Sequence, residues 1–251
     1  MKLKHLYKRT VEIGIEADPR DKKYIDKLLK KHADKAKKVE GNEKKYFDDE
    51  RTWNPYSDSR ILNGTGEEDV KRVMVGIDIE TPEILLADRL REKGEKIDCV
   101  IIHHPEGRAL ADLEKVMPLQ ADVYHAAGVP VNVSEKLLAP RMDRIWRAIH
   151  ADNFLRVVRA AELLDIPAFT CHTVTDNLVW RFMEKHVVQK KWDDLGEIIN
   201  AIHDMEEYDY YAKQGSPAII VNGSSSSRPG KVVATEFTGG TNGPEELIEA
   251  Q

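Results

Sequence analysis

Two short stretches hold side chains able to do chemistry. Ile97 to Gly107 reads IDCVIIHHPEG, so the apolar run Cys99 to Ile102 stops at two adjacent histidines, His103 and His104. Thr170 to Asn177 reads TCHTVTDN, a second apolar approach that ends in His172 and then reaches Asp176. Short apolar runs of this kind read as buried strands. In open α/β sheets, ligands bind beyond the carboxyl ends of the strands. Imidazole and carboxylate are ligands of intermediate divalent metals. Parallel strands bring their C-terminal ends to one edge, so His103, His104 and Asp176 could converge there. Adjacent residues of an extended strand point to opposite faces. On that ground His103 and His104 would serve two ions side by side, about 3.5–4 Å apart, with a carboxylate between them.

Plainer readings exist for each residue. Two histidines at a strand end also fit an ordinary loop. Asp176 stands just before a helix expected from about Leu178 and fits its N-cap. Cys171 beside His172 could be a thiol nucleophile, but a buried strand cysteine is the simpler account. Gly239 to Pro244 (GGTNGP) lacks the Lys-Ser/Thr of a phosphate loop and reads as a turn. His125, His150, His186 and His203 have no evident partners and read as structural. Arg60 and Glu106 are candidate substrate contacts by neighbourhood alone.

The elements that must position these groups alternate. Val73 to Ile79 reads as a strand, and Thr81-Pro82-Glu83 as a helix start capped by Thr81, with Ile84, Leu85 and Leu90 on its core face. The Cys99–Ile102 strand completes a βαβ unit. A helix follows over Ala109 to Met117, then a strand over Val129 to Val133 and a helix from Ser134 to about Ala148. Phe154 to Leu164 reads as helix and Ala168 to Cys171 as strand. Leu178–Val188 and Trp192–Met205 read as helices, and Ala218–Asn222 and Lys231–Phe237 as strands flanking a Ser-rich loop. The fold class is therefore α/β, a mostly parallel sheet with helices on both faces. Residues 1–251 are expected to form a single domain, with 1–69 a helical and loop N-terminal region and 70–251 the alternating β/α core. In the N-terminal region, Asp18-Pro19 looks like a helix start with Ile25, Leu28 and Leu29 on one face. Its other face is basic: Arg20 to Lys38 holds nine Lys/Arg against three Asp/Glu. A solvated helix face explains this, and an anionic partner is the alternative. Phe47 to Gly66 is irregular and rich in turn formers, as packed functional loops often are.

The chain has 251 residues, 41% hydrophobic and 33% charged, a mix that allows a packed core. Its net charge of −6 argues against a general nucleic-acid binder. Two cysteines, no signal-like segment and no run near the ~20 apolar residues of a membrane span lead to the expectation of a cytoplasmic protein away from membranes.

The motifs together resemble the NIF-three-like family of dinuclear-metal proteins, many of them type 2 GTP cyclohydrolase I homologues. The residues that carry the resemblance are IDCVIIHHPEG, CHTVTDN and VMVGIDIET, with NPYSDSRIL, EADPRDK, GVPVN, ELLDIPAFTCHT and TGGTNGP in a longer-chain branch. The resemblance implies that His103, His104 and Asp176 are metal ligands, with His172 beside the site as a proton relay or substrate-facing catalytic group. It implies two divalent ions per subunit, without naming Zn, Fe, Mn or Ni, and a homo-oligomer, commonly a hexamer. Family members add ligands from a C-terminal Gly-His segment, whereas this chain has no histidine after His203. The functional expectation is a metal-dependent hydrolase acting on a small molecule, GTP cyclohydrolase-like, with a non-catalytic metal-binding or protein-interaction member of the same fold as the alternative.

Overall fold

A computed structural model describes all 251 residues. In chain order its regular elements are α1 (Leu3–Ala17), α2 (Lys22–Ala36), α3 (Gly41–Tyr46), β1 (Ile61–Asn63), β2 (Val73–Gly76), α4 (Thr81–Glu92), β3 (Cys99–Ile102), α5 (Gly107–Ala111), α6 (Pro118–Ala127), α7 (Val131–His150), α8 (Arg156–Leu163), β4 (Ala168–Thr170), α9 (Thr173–Met183), α10 (Leu195–His203), α11 (Glu206–Lys213) and α12 (Glu245–Glu249). The chain falls into two compact units. One comprises residues 1–179 and 235–251, the other 180–234.

The first unit is built on one sheet of order β1-β4-β3-β2. β2, β3 and β4 run parallel, and β1 joins antiparallel to β4. Alternation along the central strands splits the core in two. Cys99 and Phe169 face a layer with Leu3, Tyr7 and Val11 of α1 and with Leu119 and Val123 of α6. Val100, Ile102 and Ala168 face Ile84 and Ala87 of α4 and Val157 and Ala161 of α8. Helices thus cover both faces, as the α/β reading requires. A third cluster, with Tyr124, Leu138, Ile145 and Leu247, joins α6, α7 and α12. No helix is long and apolar enough to cross a membrane.

Several local expectations are corrected. α1 precedes any helix read from the sequence, and α2 is capped by Asp21, whose side chain accepts from the Tyr24 N–H. Asp18 instead forks onto Arg20 and accepts from the Tyr56 hydroxyl. α4 is capped by Glu80 in a reciprocal box with Glu83, so Thr81 lies inside the helix, and Leu85 is 49% exposed rather than core. The expected helix over Ala109 to Met117 is broken into α5 and the single turn Leu113–Lys115, after which Pro118 starts α6. Val129 to Val133 is not a strand. Gly128 stops α6 in a left-handed conformation and Pro130 leads straight into α7, so Ser134 is a buried helical residue and no cap.

The second unit holds the end of α9, a π-helical turn Glu184–Val188, α10 and α11. Ala218–Asn222 and Lys231–Phe237 contain no strand. Their apolar residues find no sheet to join, and Ile219 and Val221 are 71% and 92% exposed. His203 Nε2 accepts from the Ala218 N–H, and Trp180 Nε1 donates to the Ala234 carbonyl.

Candidate metal centre

Register assembles the site. Ile102 pairs with Thr170 across β3 and β4, and Gly76 pairs with Ile102 across β2 and β3. The chain therefore leaves all three strands at one edge, and His103 and His172 emerge side by side. The Cys171 N–H donates to the Ile102 carbonyl at 2.8 Å, and the His103 N–H donates to Gly76 at 3.0 Å. α9 begins directly after His172, and the Asp176 N–H donates to the His172 carbonyl. Asp176 thus lies in the first turn of α9, one turn above His172. It is not the N-cap of a helix starting at Leu178.

The strand ends at Ile102, so His103 and His104 are not extended and do not diverge. Their ring centroids are 5.1 Å apart, and His172 lies 4.9 Å from His103 and 5.9 Å from His104. One ring nitrogen from each of the three lies within 4.8 Å of the others. The two rings lie close together beyond the strand end rather than on opposite faces of an extended strand.

Each imidazole spends Nδ1 on an oxygen. His172 Nδ1 meets Asp58 Oδ2 at 2.9 Å. His104 Nδ1 meets Asp78 Oδ1 at 2.6 Å. His103 Nδ1 meets Thr175 Oγ1 at 3.0 Å. The Thr175 hydroxyl itself donates to the Cys171 and His172 carbonyls, so its lone pair is left to accept from His103. Oxygens on Nδ1 fix the tautomer that leaves Nε2 with a lone pair, the arrangement metal-binding histidines use. Asp176 faces two of these nitrogens. Its Oδ1 lies 3.5 Å from His103 Nε2 and its Oδ2 lies 3.8 Å from His172 Nε2.

The electrostatics disfavour charge on both His103 and Asp176 and favour it on His172. Burial, with Asp58 adding to it, raises the Asp176 carboxyl to about 7 against the pull of His172. Burial lowers His103 to about 4, and His172 adds to the shift. His172 is raised because its bond to Asp58 and the charges of Asp58 and Asp176 outweigh its burial. Three imidazoles and a carboxylate of this kind suit a divalent cation.

Asp58 and Asp78 were not singled out in the sequence. Asp58 is fully buried and also accepts from Thr173 Oγ1 at 2.5 Å. Asp78 follows β2 as His104 follows β3, two residues past the strand end, a signal present in VGIDIET. The segment Asn54 to Arg60 is buried throughout, which composition rich in turn formers does not foretell.

Other candidates resolve into structure. Arg60 is buried and paired to Asp48 at 2.6 Å, so it is not a substrate contact. Burial raises the Glu106 carboxyl to about 7, with Glu80 adding to the shift. Cys171 is buried, with its thiol pushed up to about 12. The Gly-rich turn is tied down internally: Gln120 Nε2 donates to Gly239, and the Gly243 N–H donates to Glu236. His125 and His150 bond the carbonyls of Val129 and Trp146, and His186 stacks on Phe182.

No family model and no curated protein matches the chain. Among solved structures, it is similar to a NIF3 superfamily protein from Sphaerobacter thermophilus. The TM-score is 0.68 at 22% identity, over 90% of this chain and 74% of that one. The chain therefore shares the fold of that protein, as the resemblance of its motifs implied.

Proposed function

We propose that the protein is a divalent-metal protein and a metal-dependent hydrolase. The observation that carries this reading is the common orientation of three histidines. Each gives Nδ1 to an oxygen, the three rings gather together, and Asp176 faces two of them, His103 and His172.

The donor set fits such an ion. His103, His104, His172 and Asp176 would hold it, so we assign His172 as a ligand rather than as a separate proton relay. The three histidines lie close enough together to share one ion, with Asp176 beside His103 and His172; a second ion would need donors beyond them. A bound divalent ion would lower the pKa of its water toward neutrality and polarise a carbonyl or phosphoryl oxygen. The remaining work falls to this chain. Asp58, Asp78 and Thr175 keep the three rings oriented.

Beside His103 and Asp176 lies a pocket of about 310 Å³, walled by Val75, Ile77, Ile101 and Val179. Such a wall suits the flat, weakly polar part of a substrate. A purine base has that character, so GTP is the first substrate to test.

The experiment is an assay of chelator-stripped protein against GTP and simple phosphoesters, with and without added Zn²⁺, Mn²⁺ or Fe²⁺. Hydrolysis that requires added metal and disappears in His104→Ala supports the reading. Hydrolysis indifferent to both, or none with any metal, refutes the hydrolase and leaves the metal centre to be judged by its binding.

A further inference from the structure

The basic face of α2 takes no part in the metal centre, but it borders a cleft of about 420 Å³ in the first unit. The cleft is enclosed by α2, α3, the turn Asp49–Thr52, α5 and the turn Leu113–Lys115. The chain carries a net −6, so cations gathered here do not follow from overall composition.

The acids of the cleft already have partners. Asp48 accepts from Arg60 at 2.6 Å, Glu43 lies 3.2 Å from Lys35, and Asp112 is paired with Lys115. Two guanidinium groups have no close hydrogen-bonded carboxylate. Arg51 Nε is buried without a hydrogen-bond partner, and Arg51 enters no ion pair. Arg108 comes only within 3.6 Å of Asp48 and 3.7 Å of Asp112, longer than a good hydrogen bond. A half-buried cation without a close carboxylate is costly, and an anion held by the outer nitrogens of its guanidinium would offset that cost. His32 registers the same field. Its pKa is lowered, first by burial and then by Arg51, Lys31 and Lys35.

We infer that this cleft binds a phosphate group, free or carried as a small monoester, with Arg51 and Arg108 as its anchors. The guanidinium fork matches phosphate oxygens in pairs, which a lysine cannot do. Lys27, Lys30 and Lys31 on α2, with Lys38 just past its end, continue the positive face and would concentrate anions at the mouth. A nucleic acid would track that exposed lysine row and have no use for a half-buried arginine. The inference does not depend on the metal centre.

The test is calorimetric titration of the full chain with inorganic phosphate and with phenyl phosphate, alongside NMR of the His32 ring. Saturable binding that moves the His32 signals is expected. It should weaken about tenfold or more in Arg51→Gln and in Arg108→Gln, since each removes a paired, charge-assisted contact. Lys22→Gln, at an exposed residue paired with Asp26, should bind like the parent protein. Tighter binding of phenyl phosphate identifies a monoester, and equal binding identifies the free ion. Should Arg51→Gln fail to fold, the more exposed Arg108→Gln carries the test. Absence of saturation, or binding unchanged in both variants, overturns the inference. So does salt-sensitive binding of a single-stranded oligonucleotide that is lost on neutralising Lys27, Lys30 and Lys31 but indifferent to Arg51→Gln, because it would assign the face to nucleic acid.

Discussion

Asp58 Oδ2 lies 2.9 Å from His172 Nδ1, wholly out of solvent, and so a residue of the N-terminal loop sets the tautomer of a residue more than a hundred positions later. Asp58→Asn keeps the shape but offers His172 a weaker and ambiguous partner. Loss of a carboxylate behind a metal-binding histidine costs about 10–100-fold in metal affinity. Competition against a chelating dye should show that loss with little change in melting temperature. Unchanged affinity would mean that His172 is no ligand.

Metal uptake should also depend on pH. The Asp176 carboxyl, raised to about 7 by burial and Asp58, must give up its proton when a cation binds. Affinity should therefore climb as pH rises through 7. Below 7 the slope should be at least about tenfold per pH unit, because Asp176 and His172, whose pKa is also raised, both release a proton on binding. In Asp176→Asn the Asp176 part of the slope should vanish. A calorimetric titration in buffers of different ionisation heat counts the released protons.

Glu106 makes a stability prediction with a definite sign. Its folded carboxyl is raised to about 7 from 4.5 by burial, with Glu80 adding to it. Between those values the folded chain holds a proton that the unfolded chain has released, so stability falls as pH rises through the window. Glu106→Gln removes this contribution. Urea midpoints of the variant should stay flatter than those of the parent from pH 5 to 8.

Gly107 closes the HHPEG motif for a steric reason. Its φ is +58°, and a Cβ built there would lie 2.5 Å from Val158 Cγ2. Gly107→Ala should destabilise the protein by about 2 kcal/mol or more, since strain and overpacking add. Equilibrium denaturation measures it. A loss under about 0.5 kcal/mol would mean α5 and α8 part easily.

The strand tips were legible because their signal is local. Four apolar residues from Cys99 end at His103, and β4 ends just before Cys171 and His172, one residue short of the strand expected there. The convergence of His103, His104, His172 and Asp176 follows from parallel pairing, which the β/α alternation implied. The bend after Ile102 was not legible, because it depends on where β2 ends beside it. Asp58 was hidden because its segment looks like an exposed turn and is buried only through long-range packing under Tyr7 and against His172. The failed strands at Val129 and Ala218 have apolar, β-branched composition. Pro130 and the lack of a neighbouring strand outweighed that propensity.

The most direct test of the metal centre is metal content per chain. It would be read by elemental mass spectrometry on untagged protein purified without chelators, beside His103→Ala, His172→Ala and Asp176→Ala. The parent should carry at least one divalent ion per chain, and each variant should lose most of it while keeping its circular dichroism. A parent without stoichiometric metal that takes none up on addition, or variants as fully loaded as the parent, would contradict a centre at these residues.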